Sequence, residues 1–266
     1  MRYLLPVLLS LISAAPAFAQ SETLIEITSR GQKIRALLLK PDNPIGSVVL
    51  LSGGNGRLDI TADGKLGSGA GNQLVRTREA YARAGFVTLV PDIAPGFKLL
   101  NNEVVPGTRY SVQHGQDMAA FIQYARGIKA PVALVATSRG AVAAGAVLAH
   151  GSGPGRPDTM VLTAPMLVPT GDNQPNFAIA VGYPARAKLP MLLVGHKKDE
   201  CRWTQVSTFD RFIKWQGGKI DVIVLDGPPG KGDPCDAWSA HGFAEIDDVV
   251  VETVTQWVKK QTAAAQ

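Results

Sequence analysis

Ser138 stands in the string Ala136-Thr137-Ser138-Arg139-Gly140, between an apolar run at 132–136 and an Ala/Gly-rich run at 141–145. A buried strand that turns sharply through a serine into a helix holds the hydroxyl out at the carboxyl edge of a sheet. The helix N-terminus then adds a positive dipole. Such a turn is tight, so the positions two before and two after the serine must be small. Gly140 satisfies the second requirement, and Ala136 departs from the usual glycine at the first by one methyl. Taken alone, the segment is equally compatible with a serine that caps a helix. A serine nucleophile needs an imidazole to accept its proton, and the imidazole needs a carboxylate to fix its tautomer. Asp199 follows the apolar run 191–194, and His241 lies in Ser239-Ala240-His241-Gly242-Phe243, after the run 220–225. Both lie after Ser138 in the chain, each on a loop that follows a strand, where folds of alternating strands and helices place their sites. The chemistry expected of the three is acyl transfer: attack on a carbonyl by Ser138, proton transfer through His241, orientation of His241 by Asp199.

These side chains need a scaffold, and the hydropathy pattern supplies one. Residues 23–28 and 33–39 alternate around Gly31-Gln32, which predicts an opening β-hairpin. Short apolar runs at 47–51, 86–90, 131–136, 159–163, 189–194 and 220–225 read as buried strands. Helical patterns at 73–84, 112–126, 139–150, 204–215 and 244–260 alternate with them. The alternation predicts an α/β fold with a mostly parallel central sheet and helices on both faces. No repeat or composition break divides residues 20–266, so a single domain is expected.

On Ala136-Thr-Ser138-Arg-Gly140, the acid loop at Asp199 and His241-Gly-Phe, the chain resembles the α/β-hydrolase superfamily, and more narrowly its small secreted bacterial members. The likeness spans nearly all of the sequence after residue 19. It implies a serine hydrolase with Ser138 as nucleophile, Asp199 as acid and His241 as base, acting without a cofactor on a small-molecule acyl substrate. It also implies an oxyanion hole between the amide of Arg139 and an amide of the Ser52-Gly53-Gly54-Asn55 turn, with Gly54 first choice and Asn55 second.

Composition narrows the alternatives. A 45% hydrophobic, 18% charged chain is too apolar for disorder and too poor in charge for a long coiled coil. A net charge of +5, with scattered basic residues and no aromatic interleaving, argues against nucleic acid as a partner. Residues 1–19 carry Arg2, an apolar stretch from Leu4 to Ile12 and Ala17-Phe18-Ala19, the pattern of a cleaved export signal. Beyond it no apolar run is long enough to span a bilayer, so a periplasmic or secreted protein without stable membrane insertion is expected. An oxidising compartment makes Cys201 and Cys235 candidates for a disulfide that would tie the acid loop to the histidine loop. Glu200 and Asp210 rival Asp199. His114 and His196 are possible pocket residues, and His150 suits a helix C-terminus. A metal site of His196, Asp199 and His241 lacks any closed ligand spacing, so no metal is expected. A catalytically silent binding protein of the same fold, and an acyltransferase using the same three residues, are the competing functions; oligomeric state stays open.

Overall fold

A computed structural model describes residues 21–264, apart from 98, 101–102, 105, 172–173, 183–187 and 218–219. The export-signal expectation at 1–19 lies outside the described residues. The chain opens with β1 (Thr23–Ser29) and β2 (Gln32–Leu39), an antiparallel pair in which Thr23 faces Leu38 and Ser29 faces Gln32. The turn is Arg30-Gly31, one residue earlier than expected, with both φ values positive (50° and 76°). That geometry matches the twist of a two-residue hairpin, and Gly31 adopts it without strain.

The remaining strands are β3 (Gly46–Leu51), β4 (Phe86–Pro91), the short β5 (Leu99–Leu100) and β6 (Glu103–Val104), β7 (Val132–Thr137), β8 (Thr159–Thr163), β9 (Met191–His196) and β10 (Ile220–Leu225). Eight of them form one sheet in the order β1-β2-β4-β3-β7-β8-β9-β10, parallel from β4 to β10; β5 and β6 pair separately. Every residue of β3, β4, β7, β8 and β9 is buried, as continuous apolar runs require when helices cover both faces. The helices are α1 (Gln73–Arg76), α2 (Arg78–Arg83), α3 (Val112–Ile128), α4 (Gly140–His150), α5 (Phe177–Val181), α6 (Phe209–Gln216) and α7 (Asp247–Ala264).

Strand alternation sorts the core into two layers. Val49, Leu51, Leu134 and Ala136 pack with Phe121 of α3, Ala144 of α4 and Phe212 of α6. Val48, Leu50, Ala133 and Val135 pack on the other side with Leu74 of α1, Tyr81 of α2 and Val254 of α7. Three expected helices are altered. The one at 204–215 is α-helical only from Phe209, after a 3-10 turn at Val206–Thr208. The pattern at 73–84 breaks at Thr77, whose hydroxyl donates to the Gln73 carbonyl and whose backbone leaves the helical region (φ −97°, ψ 2°). The last helix begins at Asp247 rather than 244, because Phe243 and Glu245 adopt left-handed φ values of 57° and 67°.

Candidate active site

Ser138 sits between the end of β7 and the start of α4, with φ at +54°. A left-handed conformation at a non-glycine residue costs roughly 1–2 kcal/mol, so the surroundings must hold it. The Ser138 N–H donates to the Thr163 carbonyl (3.0 Å), and its own carbonyl accepts from Ala141 (3.1 Å) and Met166 (3.2 Å). Gly140 allows α4 to start against β3: a Cβ there would lie 2.4 Å from the Leu51 carbonyl oxygen. Ala136, the departure from the small-residue pattern, places its methyl in the core without exposure.

His241 lies in a single turn of 3-10 helix, Ala240–Gly242. Its N–H donates to the Ser239 hydroxyl oxygen (3.2 Å), and Ala240 N–H donates to the Pro229 carbonyl (2.7 Å). Arg76 grips this loop from behind. It donates to the carbonyls of Gly242 (2.7 Å), Ala237 (3.0 Å) and Gly71 (2.6 Å), pairs with Asp247 (2.8 Å) and stacks on Trp238 (4.5 Å). Asp199 occupies the turn after β9. Its Oδ1 accepts the Cys201 N–H (2.9 Å) and its Oδ2 accepts the Thr204 hydroxyl (2.8 Å).

These loops bring the three side chains into one chain of contacts. His241 Nε2 is 3.0 Å from Ser138 Oγ, and His241 Nδ1 is 3.3 Å from Asp199 Oδ2. The carboxylate and the imidazole are buried, whereas Ser138 is half-exposed at the floor of a cleft of about 550 Å³. The cleft walls come from the 52–58 and 68–73 segments and from Cys235, Asp236 and Ala237. Gly54, Asn55 and Arg139 all line it. Gly53, inside the turn expected to form the oxyanion hole but passed over there for Gly54 and Asn55, is the residue whose backbone abuts the serine: a Cβ there would be 3.1 Å from Ser138 Cβ. Cys201 and Cys235 are bonded (S–S 2.05 Å). Asp199, Cys201 and His241 have potential metal-ligating atoms within 4.8 Å of one another, but the sulfur is taken by the disulfide and the other two face each other.

The rival residues fall elsewhere. Glu200 and Asp210 are exposed. Neither His114 nor His196 is among the described residues lining the cleft. His196 ends β9, accepts the Lys198 N–H (3.0 Å) and meets Phe243 edge-on, and burial holds its pKa below the ordinary value. His114 is completely buried against Phe97, and burial, then the charges of Arg109 and Arg30, keep it neutral. His150 is half-buried at the end of α4. Trp238 is exposed on Arg76 and does not line the cleft.

Three supporting residues escaped the sequence reading altogether: Arg76, Thr204 and Arg109. Arg109 is buried, donates to the Ser52 carbonyl (2.7 Å) and packs so closely on Gly56 that a Cβ there would overlap its guanidinium. Burial, then the charge of Arg139, lower its pKa. Asp92 completes the support of the 52–60 segment by accepting the N–H groups of Leu58 and Ile60 (2.9 Å each).

No protein-family model matches the chain, and no curated protein matches it in sequence. Solved structures do match in shape. The Pyrococcus furiosus esterase Pf2001 superposes with a TM-score of 0.61 at 13% identity, over 91% of this chain and 93% of that one. MGS-M1, an alpha/beta hydrolase from a Medee basin deep-sea metagenome library, gives 0.59 at 12% identity, over 92% and 99%. The dienelactone hydrolase of Anabaena variabilis gives 0.58 at 11%, over 91% and 98%. The chain has the α/β-hydrolase fold. At these identities the likeness speaks to architecture, and the chemistry must be argued from the side chains themselves.

Proposed function

We propose that the protein is an exported serine hydrolase acting on a carboxyl ester or related acyl bond. The observation that carries the reading is the contact of His241 Nε2 with Ser138 Oγ at 3.0 Å while Nδ1 faces Asp199. That is the disposition a general base needs to take a serine proton and hold the resulting positive charge. Ser138 Oγ attacks the substrate carbonyl carbon as its proton passes to His241 Nε2. The tetrahedral oxyanion is met by the amide of Arg139 and an amide of the Gly54-Asn55 turn. Collapse breaks the acyl–oxygen bond; His241 returns the proton to the departing alcohol and leaves an acyl-serine. Water, deprotonated by His241, then releases the acid and restores Ser138. Solved neighbours named as esterases support the assignment. Export draws support from the residue 1–19 pattern and from the disulfide, which persists in an oxidising compartment.

The test is Ser138→Ala with a short p-nitrophenyl ester and a fluorophosphonate probe. The wild type is expected to hydrolyse the ester and take the label on Ser138. The variant is expected to lose label and at least about a thousandfold in kcat. A variant that keeps activity and label overturns the reading. A wild type inert to the probe that still binds a ligand establishes the silent binding protein instead, and ester product formed with an added alcohol marks an acyltransferase.

A further inference from the structure

We infer that Thr204 is a positioning residue of the acyl-transfer reaction: its hydroxyl bridges Asp199 and His241 and serves as the nearer acceptor for the imidazole Nδ1–H. The inference rests on the assignment of Ser138, His241 and Asp199 proposed above. Its basis is a difference in distance. His241 Nδ1 lies 3.0 Å from Thr204 Oγ1 and 3.3 Å from Asp199 Oδ2. An N–H···O bond is best near 2.9–3.0 Å, so the hydroxyl is the nearer acceptor and the charged carboxylate the longer arm of a shared bond.

The hydroxyl's own proton has a defined place. Asp199 Oδ2 is 2.8 Å from Oγ1, whereas the Cys201 carbonyl, the other acceptor in reach, is at 3.5 Å. With its proton directed at the carboxylate, the hydroxyl turns a lone pair to the imidazole. The chain therefore runs carboxylate, hydroxyl, imidazole, serine, and each bond polarises the next. Thr204 cannot easily leave this position. It is 1% exposed, and its N–H donates to the Cys201 carbonyl at 3.0 Å, inside the turn that the Cys201–Cys235 bond anchors. The bridge matters most when His241 becomes imidazolium, because Nδ1–H is then a charged donor and both acceptors strengthen. An interaction of that kind acts on the transition state more than on substrate binding.

Thr204→Val removes the hydroxyl at nearly constant shape, Thr204→Ala leaves room for a water, and Thr204→Ser keeps the hydroxyl. Expected are a kcat about 10- to 100-fold lower for Val and Ala, with KM within about twofold, and near wild-type kcat for Ser. The downfield proton resonance of His241 Nδ1–H is expected to move in Val and Ala and to stay in Ser. If Val folds poorly, the Ala and Ser pair carries the comparison. A hydroxyl-free variant with wild-type kcat and an unmoved resonance overturns the inference, and so does a Ser variant as impaired as Ala. Fluorophosphonate labelling of wild-type Ser138 separates the two failures. Absence of label there removes the serine-hydrolase reading itself, whereas intact labelling with insensitive Thr204 variants removes only the bridge.

Discussion

Replacing both Cys201 and Cys235 by alanine separates stability from chemistry at this site. The disulfide closes a loop with a sequence separation of 34. In the chain-entropy account, releasing a loop of that size returns about 12.6 cal/mol/K to the unfolded chain, which is about 3.8 kcal/mol at 25 °C. For a chain of this length the loss corresponds to a melting midpoint lower by about 8–15 °C. The native site keeps other ties. Asp199 still accepts the Cys201 and Thr204 donors, and the histidine loop is still gripped by Arg76 and by the Pro229–Ala240 bond. The expected result is therefore a large fall in stability with kcat at 25 °C within about threefold of wild type, since the geometry of the reacting groups is held locally. Urea unfolding followed by tryptophan fluorescence, beside ester hydrolysis at a temperature where both proteins are folded, reads the two quantities. An unchanged unfolding midpoint would refute the reasoning, because the unfolded chain would then gain nothing from the cut.

Two other perturbations probe the groups behind the site. Arg76→Met removes the bonds to Gly242, Ala237 and Gly71 and leaves Asp247 unpaired; a stability loss of about 2–4 kcal/mol and a reduced kcat are expected, measured by thermal unfolding and steady-state kinetics. His114 is held neutral in the folded protein with a pKa well below 6.5, so below pH 6.5 the unfolded chain binds a proton that the folded chain refuses. Its contribution to stability is complete above pH 6.5 and is lost as pH falls toward the folded value, by up to about 1.4 kcal/mol per pH unit. His114→Leu is expected to flatten that acid limb without loss at neutral pH, since neither ring nitrogen has a hydrogen-bond partner among the described residues. An acid limb as steep in the variant as in the wild type would assign the effect to other groups.

The parts of the site legible in the sequence are those that local pattern controls. Gly140 is demanded by the approach of Leu51, and the demand shows as a small residue at a fixed offset from Ser138. Asp199 and His241 are placed by the ends of β9 and of the loop after β10, and strand periodicity finds those ends to within a few residues. Arg76, Thr204 and Arg109 were not legible, because each acts on a partner far along the chain or through a hydroxyl that no spacing rule marks. Arg76 and Gly242 are 166 residues apart, and Arg109 and Ser52 are 57 apart. The break at Thr77 was hidden for a related reason: a helix-compatible residue opens the chain there by bonding its hydroxyl to the preceding turn. The late start of α7 follows from two left-handed residues that carry side chains, where composition gives no glycine to announce them.

What holds such a site rigid is then a matter of cross-bonding more than of core burial. The walls around Ser138 are loops, and loops bury few apolar groups of their own, so they would fluctuate unless tied. Each arm has its own tie, and the ties differ in kind. The serine arm is strained at φ +54° and locked by backbone bonds to Thr163 and Met166. The acid arm is closed by a covalent bond and by Thr204, and the histidine arm by a guanidinium that spans three carbonyls and a carboxylate. The 52–60 wall is fixed by Asp92 accepting amides and by Arg109 donating to a carbonyl. Because these ties share few partners, their losses are expected to add for distant arms, Arg109 with Thr204 for example. They are expected to couple where Cys201, Asp199 and Thr204 meet in one turn.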